Sequence, residues 1–479
     1  MVPVPPFPHF NKPHEDELNC LNLNVVLPPT ASAATTAPAA APLPVMVWIH
    51  GGSFLFGSST HPCYDMVNLS TFSAAIGAPI IGISINYRVG LFGFLASRAI
   101  AADLASDGFA GAGNFGLTDQ QTALHWVQRY ASNFGGDPQN VTIFGESAGG
   151  MSVAHQVWAA DPAPFARAIS MSGTLSTIPA WPLAWHERRY QALLERLGIG
   201  EEVDDGRAKL DRLRRAPQEA VAAATCAIEG SMGATANPCA DGWYHAPPPS
   251  LEAGGIVSPP AWLRSYMVGD VRDEAMIFRG ALDDQDYASI LAHFSGFMDE
   301  KDAVDTLLQY DISADISHEM LERRFEEMAT DAIFWLQTYL HAHASRVKRT
   351  YAYHVDQVST LDNPLKGLAY HAIELLYVFR NLEEEMTEGQ RELSRKMAAD
   401  FVRFAYGEDP WERFGEGKWM VYGPDDKRAV KSESDDEPVR RYARMKEILD
   451  AGLFPKWAAA VDYVVNKRWI LGAVVPSME

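Results

Sequence analysis

A serine hydroxyl becomes a nucleophile when a tight turn lifts it clear of the backbone and a base stands beside it. Residues Gly145-Glu146-Ser147-Ala148-Gly149 fit that need as a G-x-S-x-G match. The β-branched run Val141-Thr142-Ile143-Phe144 precedes them, and a helix-like stretch follows. This strand–turn–helix context gives the motif its meaning: the serine sits at the turn, and flanking glycines let neighbouring backbone pass close by. The chemistry is nucleophilic acyl transfer. Such a reaction develops a negative oxygen, and backbone N–H groups aimed at it each lower the barrier by roughly 3–4 kcal/mol. A second glycine cluster, His50-Gly51-Gly52-Ser53-Phe54, follows the apolar run VMVWI and can supply such donors. Ala148, directly after the serine, can supply another.

The surrounding elements alternate. LNLNVVLP and VMVWIH read as strands joined by the small-residue surface loop 31–44. PIIGISINYRVG reads as a strand buried on both faces. TDQQTALHWVQRYASNFG has helical spacing, with Leu124, Val127 and Tyr130 on one side. NVTIFG returns to strand, and ESAGGMSVAHQVWA to helix. Strand and helix in alternation imply an α/β fold with a mostly parallel sheet covered by helices. From about 186 to 345 the pattern turns mostly helical, which reads as decoration of the sheet within one domain spanning 1–479. The tail from 386 onward reads as helical and charged, with SESDDEP at 432–438 an exposed acidic loop.

The 479 residues carry a formal charge of −21, from 61 acidic and 40 basic side chains. That balance argues against a nucleic-acid partner, which requires a basic face. No run reaches the roughly 18 apolar residues of a membrane span. The four cysteines, Cys20, Cys63, Cys226 and Cys239, form no C-x-x-C pair, so no zinc site of ordinary spacing is expected. A Cys226–Cys239 bridge closing a small loop is open. Two sequons, at Asn68 and Asn140, have the frequency of chance matches.

Several segments together resemble the type-B carboxylesterase and cholinesterase-like family of α/β-hydrolases. They are CLNLNV, VWIHGGSFLFGSS, INYRVGLFGFL, the continuous stretch from Gly113 to Gly150, and GDVRDEAMIF. The resemblance implies an α/β-hydrolase fold, a mostly parallel central sheet flanked by helices with large helical insertions, and a serine carboxylic ester hydrolase needing no cofactor and no metal. Carried over residue by residue, the family's acid falls on Glu274, in Asp273-Glu274-Ala275 where D-E-G is usual. Its base falls on His371, in AYHAIELLYVF where H-G-x-E is usual, with Glu374 at the matching acidic position. The oxyanion donors fall on Gly52, Ser53 and Ala148, with Ser53 in place of a glycine. Its side chain narrows the site and alters which acyl groups fit. Glu146 stands beside the nucleophile. Ser172, in SMSG, matches a serine that supports the acid. Arg88 and Asp119 match a buried structural pair.

In the implied mechanism His371 takes the proton of Ser147, Glu274 orients the imidazole, and water completes the turnover of a small-molecule ester. A lipase, amidase, lactonase or toxin-ester hydrolase on the same scaffold would use the same groups. A catalytically dead binding relative would have lost part of the triad, which here is complete. The chain reaches the Cys20 strand without the family's usual G-I-P-Y-A-like segment or the cysteine that partners the Cys20 position. Read literally it carries no signal peptide and is cytoplasmic; with a longer N-terminus it would be secreted. The stretch before Cys20 offers Phe7 and Phe10 but no choline-binding tryptophan, so no choline esterase is expected.

Overall fold

The computed structural model describes residues 16–29, 41–200, 205–232, 236–245 and 258–466. Within them lies a nine-stranded sheet. Its strands are β1 (Leu23–Val26), β2 (Leu43–Ile49), β3 (Ile81–Ile85), β4 (Gly136–Glu146), β5 (Arg167–Met171), β6 (Ser265–Val271), β7 (Thr350–Val355), β8 (Lys418–Tyr422) and β9 (Arg428–Ser432). The spatial order is β1-β3-β2-β4-β5-β6-β7-β8-β9. The strands from β3 to β8 in that order run parallel, and β1 and β9 close the two edges antiparallel.

Why the middle strands read as continuous apolar runs is visible in the packing. Successive side chains alternate between faces, and both faces are covered. Val45, Val47, Ile49, Ile143 and Val268 enter one core, and Met46, Trp48, Phe144 and Met267 enter the other. Helices α1 (Phe115–Tyr130) and α2 (Ala148–Val157) pack on the first face. Leu124 and Val127 are buried there, while Tyr130 is half-buried. The second face is covered by Glu374–Phe379 and Glu388–Tyr406. Trp48 is fully enclosed, with Phe144 and Phe379 edge-on at 5.0 and 4.8 Å. Burying one such side chain contributes about 1.5–3 kcal/mol.

Three expectations are corrected. The interval 186–345 is mostly helical, as expected, but it is not decoration throughout: SYMVGDV within it is β6, a central strand. Its glycine disguises it. A Cβ at Gly269 would meet the ring of Tyr353 at 2.3 Å, so the position is glycine for packing. The charged tail also contains β8 and β9. Finally, SESDDEP is no exposed loop. Glu433–Arg440 is a helix, α3, started by a capping box in which Ser432 and Asp435 satisfy each other's backbone N–H groups. Asp436 within it is fully buried between Lys431 (3.1 Å) and Arg440 (3.7 Å).

The Cys226–Cys239 bridge does not form. All four cysteines are free; the helix Gln218–Met232 keeps Cys226 on its exposed side, and Cys239 is buried. Of the loop 31–44, residues 31–40 lie outside the described residues, as do Phe7 and Phe10, and strand already begins at Leu43. Among the described residues no helix is long and apolar enough to cross a membrane.

Candidate active site

In a sheet of parallel strands, the loops beyond the carboxyl ends gather functional groups. Ser147 follows β4, Glu274 lies three residues beyond β6, and His371 lies on the connection that follows β7.

Ser147 has φ 57° and ψ −127°, a conformation that side chains disfavour. The turn is locked: Ser147 N–H donates to Met171 O at 2.9 Å, and Met151 N–H donates to Ser147 O at 2.9 Å. The flanking glycines are obligatory, because a Cβ at Gly145 would meet Gly149 at 2.5 Å and one at Gly149 would meet Ile49 O at 2.1 Å. Ala148 opens α2, and the first N–H groups of a helix have no partner inside it.

The glycine loop has its own logic. Gly52, Ser53 and Phe54 all carry positive φ, at 116°, 55° and 58°. Such strain in non-glycine residues costs about 1–3 kcal/mol each and clusters at functional sites. Every carbonyl in the loop is held. His50 Nδ1 lies 2.9 Å from Gly51 O. That oxygen can only accept, so Nδ1 carries the proton. Gly52 O accepts from Leu55 and Phe56 N–H at 2.8 and 3.1 Å, Ser53 O from Ala236 N–H at 3.2 Å, and Phe54 O from Gly90 N–H at 2.6 Å. In a trans peptide the next N–H points opposite to its carbonyl. Pinning the carbonyls of Gly51 and Gly52 therefore turns the N–H groups of Gly52 and Ser53 the other way. Burial holds the His50 pKa down to about 4, so it stays neutral, stacked on Tyr87 at 4.3 Å. The loop also abuts the serine turn, since a Cβ on Gly51 would meet Ser147 Cβ at 3.1 Å.

Glu274 is fully buried. Its Oε1 accepts from Val271 N–H at 2.9 Å, and its Oε2 lies 2.5 Å from His371 Nδ1. Opposite, His371 Nε2 stands 3.0 Å from Glu146 Oε1. Among the described residues Nε2 makes no aligned hydrogen bond. Burial acts to lower the His371 pKa, but Glu146, Glu274 and Glu374 outweigh it and raise it to about 9. Burial raises Glu146 to about 7, with His371 opposing and Glu274 adding. Burial and the neighbouring carboxylates hold Glu374 well above the usual range.

Ser172 was expected to support the acid, yet its Oγ donates to Glu374 at 3.0 Å, not to Glu274. Ser172 itself has φ 47°, its N–H donating to Gly269 O at 2.8 Å. Arg88 grips Asp119 at 2.7 and 2.8 Å, but about a third of its side chain stays exposed (35%).

Sequence reasoning missed three contributors. A π-helical turn, Thr330–Trp335, brings the Phe334 ring to 5.2 Å from His371. Trp335 Nε1 and Arg440 Nη1 both donate to Val271 O, at 2.8 and 3.3 Å. Nothing in the spacing of these residues marks them. The contact of Glu146 with the histidine follows only from the turn's geometry.

The profile described as the carboxylesterase family matches residues 4–449. Lipase 3 of Yarrowia lipolytica (strain CLIB 122 / E 150) is 30% identical over 446 residues, covering 91% of this chain and 80% of its own. Para-nitrobenzyl esterase of Bacillus subtilis (strain 168) is 32% identical over 423 residues, 83% of this chain and 76% of its own. A solved structure titled PNB esterase aligns with TM-score 0.70 and 27% identity, covering 92% of this chain and 88% of that one.

Proposed function

Because the chain belongs to the carboxylesterase family and is an α/β-hydrolase that hydrolyses esters, we propose that Ser147, His371 and Glu274 carry the reaction, with Gly52, Ser53 and Ala148 as oxyanion donors. We read residues 1–479 as one such domain. The observation that supports this reading most is the chain of buried contacts from Glu274 through His371 to Glu146, the residue joined to Ser147.

In the free enzyme Glu146 faces the imidazole nitrogen that must reach the serine. Catalytic hydrogen bonds are often loose before substrate arrives. When the ester binds, Nε2 turns onto Ser147 Oγ and takes its proton. Oγ bonds to the carbonyl carbon, and the carbonyl pair moves onto oxygen, held by the three N–H groups. The carbon–alkoxide bond then breaks, and the alkoxide takes the proton from Nε2. Water repeats the sequence on the acyl-enzyme and restores Ser147. Glu274 keeps the Nδ1 proton directed to itself and offsets the imidazolium charge. Glu374 and Ser172 support the carboxylate cluster from behind.

Replacing Ser147 with alanine is expected to abolish hydrolysis of a short p-nitrophenyl ester. Retention of most activity in a folded S147A protein contradicts the assignment. A series of esters varied in acyl length and in alcohol then defines the substrate class.

A further inference from the structure

Glu274 and His371 lie 97 residues apart in sequence, on two loops that leave neighbouring strands. Their 2.5 Å contact needs those loops to be locked together, and the sheet cannot do it. The β6–β7 ladder runs to Val271 opposite Val355. One more backbone bond, Arg272 N–H to Val355 O at 2.9 Å, extends it. The chain then parts from β7 at Asp273.

Asp273 makes the next attachment, and it makes it to the histidine loop. Its N–H donates to Ala369 O at 2.9 Å. Its carboxylate Oδ2 accepts from Ala369 N–H at 2.7 Å. Both main-chain groups of Ala369 are thus held by one residue, and Asp273 pairs with Tyr370 as an isolated parallel bridge. Arg272 fixes the carboxylate, with Nη2 and Nε at 2.8 and 3.2 Å from Oδ2. Ala369 and Tyr370 are fully buried, so with Asp273 in place its carboxylate is the partner that Ala369 N–H meets. Glu274 follows Asp273 by one residue, and His371 follows Ala369 by two.

We propose that Asp273 is a positioning residue: a two-point clamp on Ala369 that sets the register in which Glu274 Oε2 meets His371 Nδ1. This rests on the Ser147–His371–Glu274 reading. The clamp works through geometry. The carboxylates that act on the imidazole are Glu146, Glu274 and Glu374. The Arg272–Asp273 pair is open to solvent (31% and 23% exposed), where a charge pair has little strength.

The test uses the full chain, with turnover expressed per Ser147 labelled to completion by a fluorophosphonate, so that unfolded protein is not counted. Asp273→Ala is expected to lower kcat about 10- to 100-fold with KM unchanged within about twofold, the range a displacement of about 1 Å produces. Asp273→Asn keeps an oxygen for Ala369 N–H and is expected to restore kcat to within about threefold of the parent. If the alanine variant does not fold, Asp273→Ser, too short to reach Ala369, takes its place. A kcat within threefold of the parent in the alanine or serine variant overturns the clamp. So does an asparagine variant as impaired as the alanine one, which would assign the effect to charge. Activity retained in S147A, by contrast, would strike the underlying reading and not the clamp.

Discussion

Glu146 Oε1 stands 3.0 Å from His371 Nε2, on the side of the ring away from Glu274. The imidazole is therefore held between two carboxylates, and its charged form is favoured despite burial. As the proposed base the ring must be neutral, so the acid limb of kcat/KM should lie above the ordinary imidazole range near 6.5. Glu146→Gln removes one of the charges that stabilise the imidazolium. The limb should then move to lower pH, which a pH–rate profile on a neutral ester would record. An unmoved limb, or one moved to higher pH, would contradict this electrostatic account.

His50 should matter to rate without touching substrate. Its Nδ1 proton holds Gly51 O at 2.9 Å, and that bond sets the direction of Gly52 N–H. His50→Leu should lower kcat by about 10-fold or more, less than the 100- to 1,000-fold cost of deleting an oxyanion donor outright. His50→Asn, whose amide can occupy the place of Nδ1, should recover part of the loss. Equal kcat in the leucine variant and the parent would show the loop to be held without it.

Ser53 stands in the left-handed region at φ 55°, where glycine is unstrained. Ser53→Gly keeps the N–H and removes the side chain that, on the proposed reading, borders the acyl group. It should raise kcat/KM for branched acyl groups relative to acetate, measured on one alcohol. An unchanged ratio would mean that the side chain does not border the acyl group.

Arg440 is a stability prediction. Its buried guanidinium lies 2.7 Å from Asp356 and 3.2 Å from Asp270. Arg440→Met removes the cation those carboxylates share, leaving Asp270 with His354 at 2.7 Å, and breaking one side of a buried ion network costs about 3–5 kcal/mol. Asp270, raised by burial to about 7 even with Arg440 opposing, can escape the penalty by taking a proton. A group with a raised folded pKa binds protons more readily folded than unfolded, so the variant's deficit should shrink as pH falls from 8 to 5.5. Thermal melts at both values test this; a deficit that grows toward acid would contradict it.

Much of this was legible in the chain. Gly145, Ser147 and Gly149 announce their turn because sterics leave few other residues able to form it. The strands of the sheet centre announce themselves because burial on both faces demands apolar runs such as PIIGISI. What stayed hidden depends on partners far away in sequence. SYMVGDV did not read as a strand because Gly269 makes room for Tyr353. SESDDEP looked exposed because nothing within it says that Asp436 will face His354, 82 residues earlier, at 3.7 Å. Ser172 was matched to the right cluster but to the wrong carboxylate, since Glu274 and Glu374 differ only in where their loops bring them. Asp273 looked like a motif letter until Ala369 was seen against it.

The central claim is that Ser147 becomes covalently acylated. Brief exposure to a fluorophosphonate, followed by peptide mass mapping, tests it directly. The account predicts one adduct, on the peptide containing Gly145–Gly149, formed much more slowly in Glu274→Gln and absent in Ser147→Ala. An unlabelled Ser147 in folded protein that still hydrolyses the ester, or an adduct on another residue, would contradict it.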